Sequence, residues 1–437
     1  MTSKPLPTLP HAQELVREYG MFPQGGTVLL AVSGGRDSMT LLHWAWTQAG
    51  AFGVSLAVGH YHHGMRGAQA DNDAKRVQVW CRERNIPFYQ EGGDVYGEAA
   101  RTGRGVEETG RLLRYAFLER TAAAIGAARI ATAHNADDNA ETLLLNLARG
   151  TGLQGLCGIP PVRESIVRPL LTTSRAEIDA YVAGHSIPYG DDVTNFDDAY
   201  ARNRVRSKVT PVLRSLNGRY TENVSAAIRL LRQDNDCLNH FASQLLEGIQ
   251  AEPGRAALPA SRLAEAPGPI AVRAARALMR DVTGSAQFGE RHLRAVLDLA
   301  RSGDPSARLS LPHGLTVRRE YEALVFTTRE ETGPWTPVPL RKGENRVGGW
   351  TLTLTGEPDG LVARPRQTGD TIRLPGQARK TLKKLMIEKR IPRPLRDSLP
   401  VAADGDGLLA AALLGENSDH PRFGAVHITF TQNQEKE

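Results

Sequence analysis

Cysteine is scarce in this chain of 437 residues, which contains three: Cys81, Cys157 and Cys237. They lie far apart in the sequence, and no two of them form a C-x-x-C pair. The pattern therefore disfavours a disulfide framework, a zinc knuckle and a metal cluster. All three cysteines are interpreted as small buried hydrophobic residues.

Long hydrophobic runs are also lacking, since no apolar segment is long enough to cross a bilayer. The N-terminus places Lys4 among three prolines and has no apolar signal core after it. We therefore expect a cytoplasmic protein with no membrane partner.

Acidic residues are few in two stretches of the chain. Residues 202–232 contain eight Arg or Lys against Glu222 alone, and residues 373–396 contain nine against Glu388 alone. A solvated helix face explains one such stretch more easily than two. The pair predicts a long polyanion that is held at two points. Since 437 residues are too many for one ordinary core, two or three domains are expected.

The segment 28–46 reads as a strand, a glycine turn and a helix. Residues 28–32 are an apolar run typical of a buried strand, and apolar residues at helical spacing follow the turn. A helix N-terminus attracts phosphate, and glycine lets the backbone approach an anion. The residues predicted to bind phosphate are Ser33, Gly34, Gly35, Arg36, Asp37 and Ser38.

This turn lacks the lysine of the G-x-x-x-x-G-K-[ST] phosphate loop and holds an acid, Asp37, instead. An acid beside a phosphate is best explained as a Mg²⁺ ligand. The alternative is an ordinary glycine turn. SGGRDS resembles the pyrophosphate loop of the ATP pyrophosphatases, which split ATP into AMP and pyrophosphate.

A second predicted strand, 54–58, leads into a histidine-rich segment ending at Arg66. Ligands of open α/β sheets lie beyond the carboxyl ends of strands. We therefore expect His60 and Arg66 to approach ATP; metal binding by His60, His62 and His63 is the weaker alternative. Residues 91–105 are glycine-rich and polar, which predicts a mobile loop over the site.

The predicted helix 106–125 carries Glu107, Arg111 and Arg114 at positions i, i+4 and i+7, so the three share one face. They could form a surface ion pair. Beside a phosphate site, the two arginines would instead neutralise a polyphosphate.

Another strand, 129–133, ends in a polar cluster at the start of the next helix, for which Asn135 or His134 is the predicted cap. The cluster contains His134, Asp137, Asp138 and Glu141. Acids in a first turn can simply be partners of the helix dipole. In a chain with an ATP loop, they could hold Mg²⁺ and bind a cationic substrate.

Strands alternate with helices over the first ~200 residues, which predicts a mostly parallel sheet. Ser174 and Glu177 form a predicted capping box. Beyond residue 215 the pattern predicts helices at 220–249, 269–282 and 290–300, a hairpin within 309–326, a strand at 350–354 and a basic helix at 379–389. On that basic helix, Lys380, Lys383 and Lys384 are expected to share one face, while Leu382, Leu385 and Met386 pack inward.

Together these motifs resemble those of tRNA(Ile)-lysidine synthetase, within the PP-loop ATP pyrophosphatase superfamily. The matching segments are SGGRDS at Ser33, HYHHGMR ending at Arg66, EETGRLLRY ending at Tyr115, AHNADDNAET at Ala133, RGTGLQGL at Arg149, RPLL at Arg168, YARNRVR at Tyr200 and RKTLKKLMIEKRIPRPLRD at Arg379. The likeness is strong over some two hundred residues, weakens through the middle and returns near the C-terminus.

The resemblance implies an α/β fold with three parts. These are a mostly parallel-sheet PP-loop ATPase domain over 1–215, a mainly helical tRNA-binding or substrate domain over 216–332, and a small α+β C-terminal tRNA-binding domain over 340–437. It implies ATP and Mg²⁺ as cofactors. Its partners would be free L-lysine and a tRNA(Ile) with a CAU anticodon, and a homodimer is possible.

The implied reaction adenylates the C2 oxygen of the wobble cytidine, after which lysine attacks C2 and AMP leaves. Residues 33–38 would bind ATP phosphates, Asp37 and Asp138 would hold Mg²⁺, and Arg111 and Arg114 would contact phosphate or the adenylate. Asp137, Asp138 and Glu141 are candidates for lysine and metal, with the division among them open. The residues expected to contact tRNA are Arg202, Arg204, Arg206, Lys380, Lys383 and Lys384.

Three other functions fit the sequence less well. A tRNA thiolase would use the same adenylation, but such enzymes generally carry paired cysteines. A small-molecule ligase would have no use for two basic regions. A tRNA-binding protein with a dead ATP site is the least favoured, because SGGRDS and its acids are intact.

Overall fold

The computed structural model of the protein describes residues 6–62, 68–190, 201–329 and 335–433. The chain divides into two units, Met1–Asp236 and Cys237–Glu437. The three-domain division expected from the sequence stays a prediction. In the described part of the chain, no helix combines the length and apolar character needed to cross a membrane.

The first unit is an α/β structure. Its strands are β1 (Thr27–Ala31), β2 (Ser55–His62), β3 (Phe88–Gly92), β4 (Ala127–Ala131), β5 (Val162–Arg163) and β6 (Ile166–Val167). Its helices are α1 (Pro10–Glu18), α2 (Arg36–Phe52), α3 (Ala68–Glu83), α4 (Val95–Thr102), α5 (Val106–Ile125), α6 (Ala136–Ala148), α7 (Leu153–Leu156), α8 (Arg175–His185), α9 (Ala201–Arg204), a π-helical turn (Val205–Val209) and α10 (Thr210–Leu216). A further helix, α11 (Tyr220–Leu245), begins in this unit and ends in the second.

The six strands form one sheet in the order β3-β2-β1-β4-β6-β5, parallel except for β5. The predicted parallel sheet is thereby confirmed. The chain moves outward from β1 to β2 and β3, then crosses back to place β4 on the other side of β1. The strand order therefore reverses between β1 and β4, and ligands of open α/β sheets bind at such a point.

Both faces of β1 are covered, which explains its continuous apolar run. Val28, Leu29 and Leu30 are completely buried. One face packs on a cluster from α1, α2, α3 and α8, and the other packs on α5 through Phe117 and Leu118. A strand buried on both faces has no need of polar alternation.

Side-chain caps begin two of the helices that follow strands of this sheet. Asn135 and Asp138 form a capping box on α6, and Ser174 and Glu177 form the predicted one on α8. Because a cap satisfies N–H groups that the helix cannot, it sets where each helix starts.

The mobile loop predicted over residues 91–105 is wrong. Residues Val95–Thr102 form α4, and the Asp94 side chain accepts a hydrogen bond of 2.9 Å from the Gly97 N–H. Val95 and Ala99 are buried. The cap and these two contacts offset the flexibility that the flanking glycines suggested.

The second unit combines helices with small antiparallel sheets. Its helices are α12 (Ala260–Glu265), α13 (Gly268–Thr283), α14 (Glu290–Arg301), α15 (Leu382–Glu388) and α16 (Arg393–Ser398). Its strands are β7 (Ala251–Glu252), β8 (Arg255–Pro259), β9 (Arg308–Ser310), β10 (Thr316–Glu320), β11 (Ala323–Thr327), β12 (Val338–Pro339), β13 (Gly343–Val347), β14 (Trp350–Thr355), β15 (Val362–Pro365), β16 (Thr371–Ile372), β17 (Lys380–Thr381), β18 (Pro400–Asp404), β19 (Gly407–Ala411), β20 (Gly415–Glu416) and β21 (His427–Gln432).

Two hydrophobic clusters organise this unit. Helices α13 and α14 pack on the sheet β7-β8-β11-β10-β9, and the later strands surround α15. The predicted hairpin is present as β10 and β11.

The predicted basic helix 379–389 is shorter than expected, because α15 begins at Leu382 and Lys380 belongs to β17. The Thr381 side chain caps α15, which ends the strand there. Leu382, Leu385 and Met386 are buried as predicted. Lys383 and Lys384 are exposed on the helix, whereas the Lys380 ammonium lies 2.6 Å from the Glu388 carboxylate. The expectation that the three lysines share one helix face is therefore wrong.

Candidate active site

A cavity of about 1150 Å³ lies where the strand order of the first unit reverses. Its lining comes from the turn after β1, residues of β2, the part of α5 between Glu107 and Leu118, the start of α6, the first residue of α8 and the segment 202–207. The sequence-predicted residues that line it are Ser33, Gly35, Arg36, Asp37, Ser38, Arg114, Asp138, Arg202 and Arg206. The sequence thus identified most of the cavity wall on the β1 side.

The glycine turn after β1 is held by its own serines. The Ser33 N–H donates to the Ser38 hydroxyl oxygen at 3.2 Å, and that hydroxyl donates to the Gly35 carbonyl at 2.9 Å. Gly34 has φ +92°, and a Cβ there would lie 3.0 Å from the Cβ of Asp73. Glycine is therefore required at this position, and the turn leads directly into the N-terminus of α2.

Asp37 is held by two partners from distant parts of the chain. Arg175, the first residue of α8, makes a two-pronged ion pair with it; one of the two bonds measures 3.0 Å. The Asn135 amide donates to the same carboxylate at 3.2 Å. Burial, and secondarily the Asp138 charge, raise the pKa of Asp37, while Arg175 opposes that rise. Asp37 therefore belongs to a tight polar cluster at the floor of the cavity.

Arg175 was missed by the sequence reasoning, although one signal was available. It directly follows the Ser174 cap, and a cation in the first turn of a helix opposes the helix dipole. A residue in such an unfavourable position needs another reason to be there. The ion pair with Asp37 supplies it.

The two adjacent acids of α6 point in different directions, because successive residues of a helix are rotated by about 100°. Asp138 faces the cavity. Asp137 is buried and is not among the residues that line the cavity. Its carboxylate accepts a 2.8 Å hydrogen bond from the Arg175 N–H, a 3.2 Å bond from the Thr221 hydroxyl, and an ion pair from Arg214. Asp137 therefore ties α6 to α8, α10 and α11.

Glu141, one turn further along α6, is contacted by two arginines. Its side chain is only 3% exposed; Arg202 contacts it at 3.0 Å and Arg206 at 2.6 Å. Arg206 also reaches Asp138 at 3.2 Å. Burial opposes the charged form of Arg206, but hydrogen bonds and the charge of Glu141 outweigh it and raise the pKa of Arg206.

The three arginines predicted to contact tRNA are not placed together. Arg202 and Arg206 line the cavity, whereas Arg204 is exposed and is not part of the lining. The π-helical turn Val205–Val209 follows directly, and such turns are frequent at functional sites.

The two arginines of α5 that were expected to contact phosphate also differ in position. Arg114 lines the cavity, and burial and neighbouring Arg111 lower its pKa. Arg111 is exposed and does not belong to the cavity wall. Glu107, on the same helix, lines the cavity as well.

His60 was expected to approach ATP, but it is not among the residues that line the cavity. His60 is buried and donates through Nδ1 to the Val32 carbonyl at 2.8 Å, so it braces β2 against the end of β1. Burial lowers its pKa. His134 lines the cavity, and burial lowers its pKa to about 4, so it is neutral at pH 7. Arg66 lies outside the described residues.

Candidate metal ligands in the cavity are carboxylates. Within the described ranges, no group of three or more His, Cys, Asp or Glu side chains could hold a metal by itself. Asp37 and Asp138 both face the cavity. One or two carboxylates completed by substrate phosphates and water is the usual way in which proteins hold Mg²⁺.

Two known protein families match this chain, one in each of its two units. Residues 10–213 match the family model described as the PP-loop domain, and residues 361–427 match the TilS substrate C-terminal domain. The first match covers β1 to β6 and every residue of the cavity described above. The second covers β15 to β20 and the first residue of β21.

Curated relatives extend the similarity to nearly the whole chain. The chain is 33% identical to tRNA(Ile)-lysidine synthase of Symbiobacterium thermophilum, over 98% of this chain and 99% of that protein. It is 33% identical to tRNA(Ile)-lysidine synthase of Geobacter sulfurreducens, over 90% and 89% respectively. It is also 31% identical to the bifunctional protein TilS/HprT of Listeria innocua, over 90% of this chain but only 65% of that longer protein.

Proposed function

The chain belongs to the tRNA(Ile)-lysidine synthase family of PP-loop proteins, and from that premise we propose that it converts the wobble cytidine of a tRNA(Ile) with a CAU anticodon to lysidine. In the first step, the C2 oxygen of the base bonds to the α-phosphorus of ATP and pyrophosphate leaves. In the second step, an amine of free lysine attacks C2 and AMP leaves with the oxygen.

The observation that carries the proposal is the composition of the cavity. A phosphate turn, three carboxylates and five arginines all face one space; the charged residues are Asp37, Glu107, Asp138, Arg36, Arg114, Arg175, Arg202 and Arg206. A ring oxygen is a poor leaving group, and adenylation makes it a good one without a covalent enzyme intermediate. Catalysis then rests on positioning and on neutralising phosphate charge.

Mg²⁺ fits this donor set, because Asp37 and Asp138 are hard oxygen ligands, and the Asp138 charge is one of the groups that raise the pKa of Asp37 after burial. These two residues would hold the ion. When bound, Mg²⁺ would neutralise the charge that develops on the phosphates. Arg175 pairs with Asp37 through its two terminal nitrogens. The other N–H groups of the same guanidinium would bind phosphate.

Glu141 would position Arg202 and Arg206 rather than bind lysine. Its two oxygens are already occupied by those arginines. Of the three α6 acids, Asp138 is the one that faces the cavity and could attract the lysine ammonium. The target base must leave its stack to reach this space.

The deciding experiment incubates the protein with ATP, labelled lysine and total tRNA, then analyses the nucleosides. We expect label in one modified cytidine, with one AMP and one pyrophosphate formed per lysine incorporated. Release of pyrophosphate without lysine incorporation would contradict the proposal. So would incorporation of lysine into a tRNA that lacks the CAU anticodon.

A tRNA thiolase is the alternative, and nothing at the site favours it. Cys81 and Cys157 are buried as expected, whereas Cys237 is exposed on α11, so the interpretation of all three cysteines as buried is wrong for Cys237. None of the three is among the described residues that line the cavity. Burial raises the pKa of the Cys81 thiol to about 12, which leaves it inert at pH 7. The possible homodimer stays a prediction.

The second unit would hold tRNA away from the anticodon through Lys383 and Lys384, which are exposed on α15. Such phosphate contacts give affinity and register but read no base. Changing both lysines to alanine should weaken tRNA binding and reduce its salt dependence by roughly one unit of slope per lost contact. Filter binding of tRNA at several salt concentrations measures both quantities.

The matched control for this pair replaces Arg341 and Lys342 by alanine, which removes two exposed positive charges from the same unit. It should leave tRNA affinity nearly unchanged, since Lys342 is already paired with Glu357 at 3.0 Å. If the two double variants behave alike, the α15 lysines make no tRNA contact.

A further inference from the structure

Four arginines surround one tyrosine at the edge of the first unit's cavity. The guanidinium carbons of Arg111 and Arg114 lie 5.6 Å from the ring centroid of Tyr115, and that of Arg163 lies 5.8 Å from it. Tyr115 also acts on Arg168, since it is one of the groups that favour the charged form of that arginine and so oppose the fall of its pKa. We refer to these five residues as the Tyr115 cluster.

The cluster carries positive charge that is not balanced within it. Among the described residues, none of the four guanidinium groups forms an ion pair with a carboxylate. Arg168 is 2% exposed, donates to the Pro160 carbonyl at 2.6 Å, and has a buried Nε with no hydrogen-bond partner. Burial and nearby arginines lower the pKa of Arg168. Because a buried cation without a counter-charge is costly, this arrangement is suited to an anionic ligand.

The position of the cluster connects it to the cavity. Arg114 lines the cavity wall, while Arg111 and Arg163 are exposed and lie outside it. Arg114 and Arg168 both depress the pKa of His134 at the end of β4. A row of positive charge therefore runs from the cavity, past Tyr115, to the surface formed by α5 and β5.

We propose that the Tyr115 cluster binds a phosphodiester of the RNA strand next to the nucleotide whose base enters the cavity. This inference rests on the proposed function, and names a contact that holds the substrate in place. A base that has left its stack leaves its flanking phosphates at the mouth of the site. Guanidinium groups bind phosphate with two parallel hydrogen bonds, and the aromatic ring keeps them stacked and oriented before the ligand arrives.

ATP is the other source of phosphate, but it fits this position less well. The turn 33–38 and Arg175 are the phosphate-binding groups on the β1 side of the cavity, where the α2 N-terminus points. Arg163 belongs to β5, at the far edge of the sheet, with β4 and β6 between it and β1. A ligand that reaches Arg163 must extend beyond the cavity, which a polynucleotide does.

Arg163→Ala is the test variant, since this residue is exposed and has no part in the phosphate turn. The probe is the anticodon stem-loop RNA of a CAU tRNA(Ile). We expect binding to weaken about three- to tenfold, and the salt slope to fall by about one. In Arg163→Lys, we expect the slope to be kept and the affinity to be partly lost, because charge remains but the planar fork does not.

The matched control is Arg120→Ala, which removes the same charge from the same helix that carries Arg111 and Arg114. Arg120 is exposed and already paired with Glu91 at 2.6 Å, so RNA affinity should not change. For Arg163→Ala, the rate of lysine incorporation at saturating RNA and the KM for ATP should equal those of the unmodified protein.

Two results overturn the inference. A raised KM for ATP with unchanged RNA affinity assigns the cluster to ATP phosphate. RNA affinity and salt slope equal to those of Arg120→Ala show that the cluster is only a solvated surface. A failure of the proposed function is distinguishable from both, since the unmodified protein would then not bind the stem-loop or incorporate lysine.

Discussion

Asp37→Asn is expected to release pyrophosphate about 10³-fold more slowly than the unmodified protein, while its fold stays intact. The substitution removes one of the three carboxylates that line the cavity, and loss of one such charge-stabilising group costs on the order of 10²–10³ in rate. Stability should be little affected, because burial already disfavours the ionised form of Asp37. Phosphate released by a coupled pyrophosphatase measures the rate, and thermal unfolding measures the stability.

Binding of Mn²⁺, followed by electron paramagnetic resonance in the presence of ATP, separates the metal role from a general loss of activity. We expect Asp37→Asn and Asp138→Asn both to weaken Mn²⁺ binding. If folded Asp37→Asn protein turns over ATP at the normal rate, Asp37 is not a metal ligand in this reaction.

Asp137→Ala is expected to give the opposite result, a large loss of stability with chemistry retained in the molecules that remain folded. The carboxylate is buried and receives bonds from Arg214, Thr221 and the Arg175 N–H. Removing it leaves a buried N–H and a hydroxyl without acceptors and ends one ion pair, which together cost about 2–3 kcal/mol. For a unit of this size, Tm should fall by on the order of 5–10 °C.

Asp137→Asn serves as the graded control, because the amide keeps an acceptor oxygen and loses only the charge. Its Tm should lie between those of Asp137→Ala and the unmodified protein. The rate of pyrophosphate release per folded molecule, measured well below the Tm, should stay within about fivefold of normal. A normal Tm combined with a rate as low as that of Asp37→Asn would show that Asp137, not Asp138, acts in the cavity.

The contrast between Asp137 and Asp138 is a distinction that the sequence could not make. Asp137 and Asp138 are adjacent identical residues at the start of one helix. The motif correctly predicts that both lie in the first turn of that helix. Their rotation about the helix axis, and hence which of them faces the cavity, depends on how α6 packs against α8 and α11. That packing involves residues 38 and 84 positions away from Asp137.

Patterns among residues close together in the sequence were sufficient to predict the strands and helix starts around the site. The apolar runs predicted the strands, the glycine turn predicted the start of α2, and both capping boxes follow from short-range patterns of side chains. The failure at residues 91–105 is of the same local kind, because the cap at Asp94 was overlooked among the glycines. In the second unit, the alternating pattern at 350–354 correctly predicted a strand.

By itself, therefore, the sequence determined the parallel α/β framework, the phosphate turn and the family, since each depends on residues close together in the chain or on a run of motifs in order. Only the tertiary structure decided which polar residues share the cavity. It brought Arg175 to Asp37 across 138 positions, turned Arg202 and Arg206 onto Glu141 while leaving Arg204 exposed, and gathered four arginines around Tyr115. The physical reason is that these contacts join separate elements, and neither hydrophobic periodicity nor local spacing specifies how such elements pack.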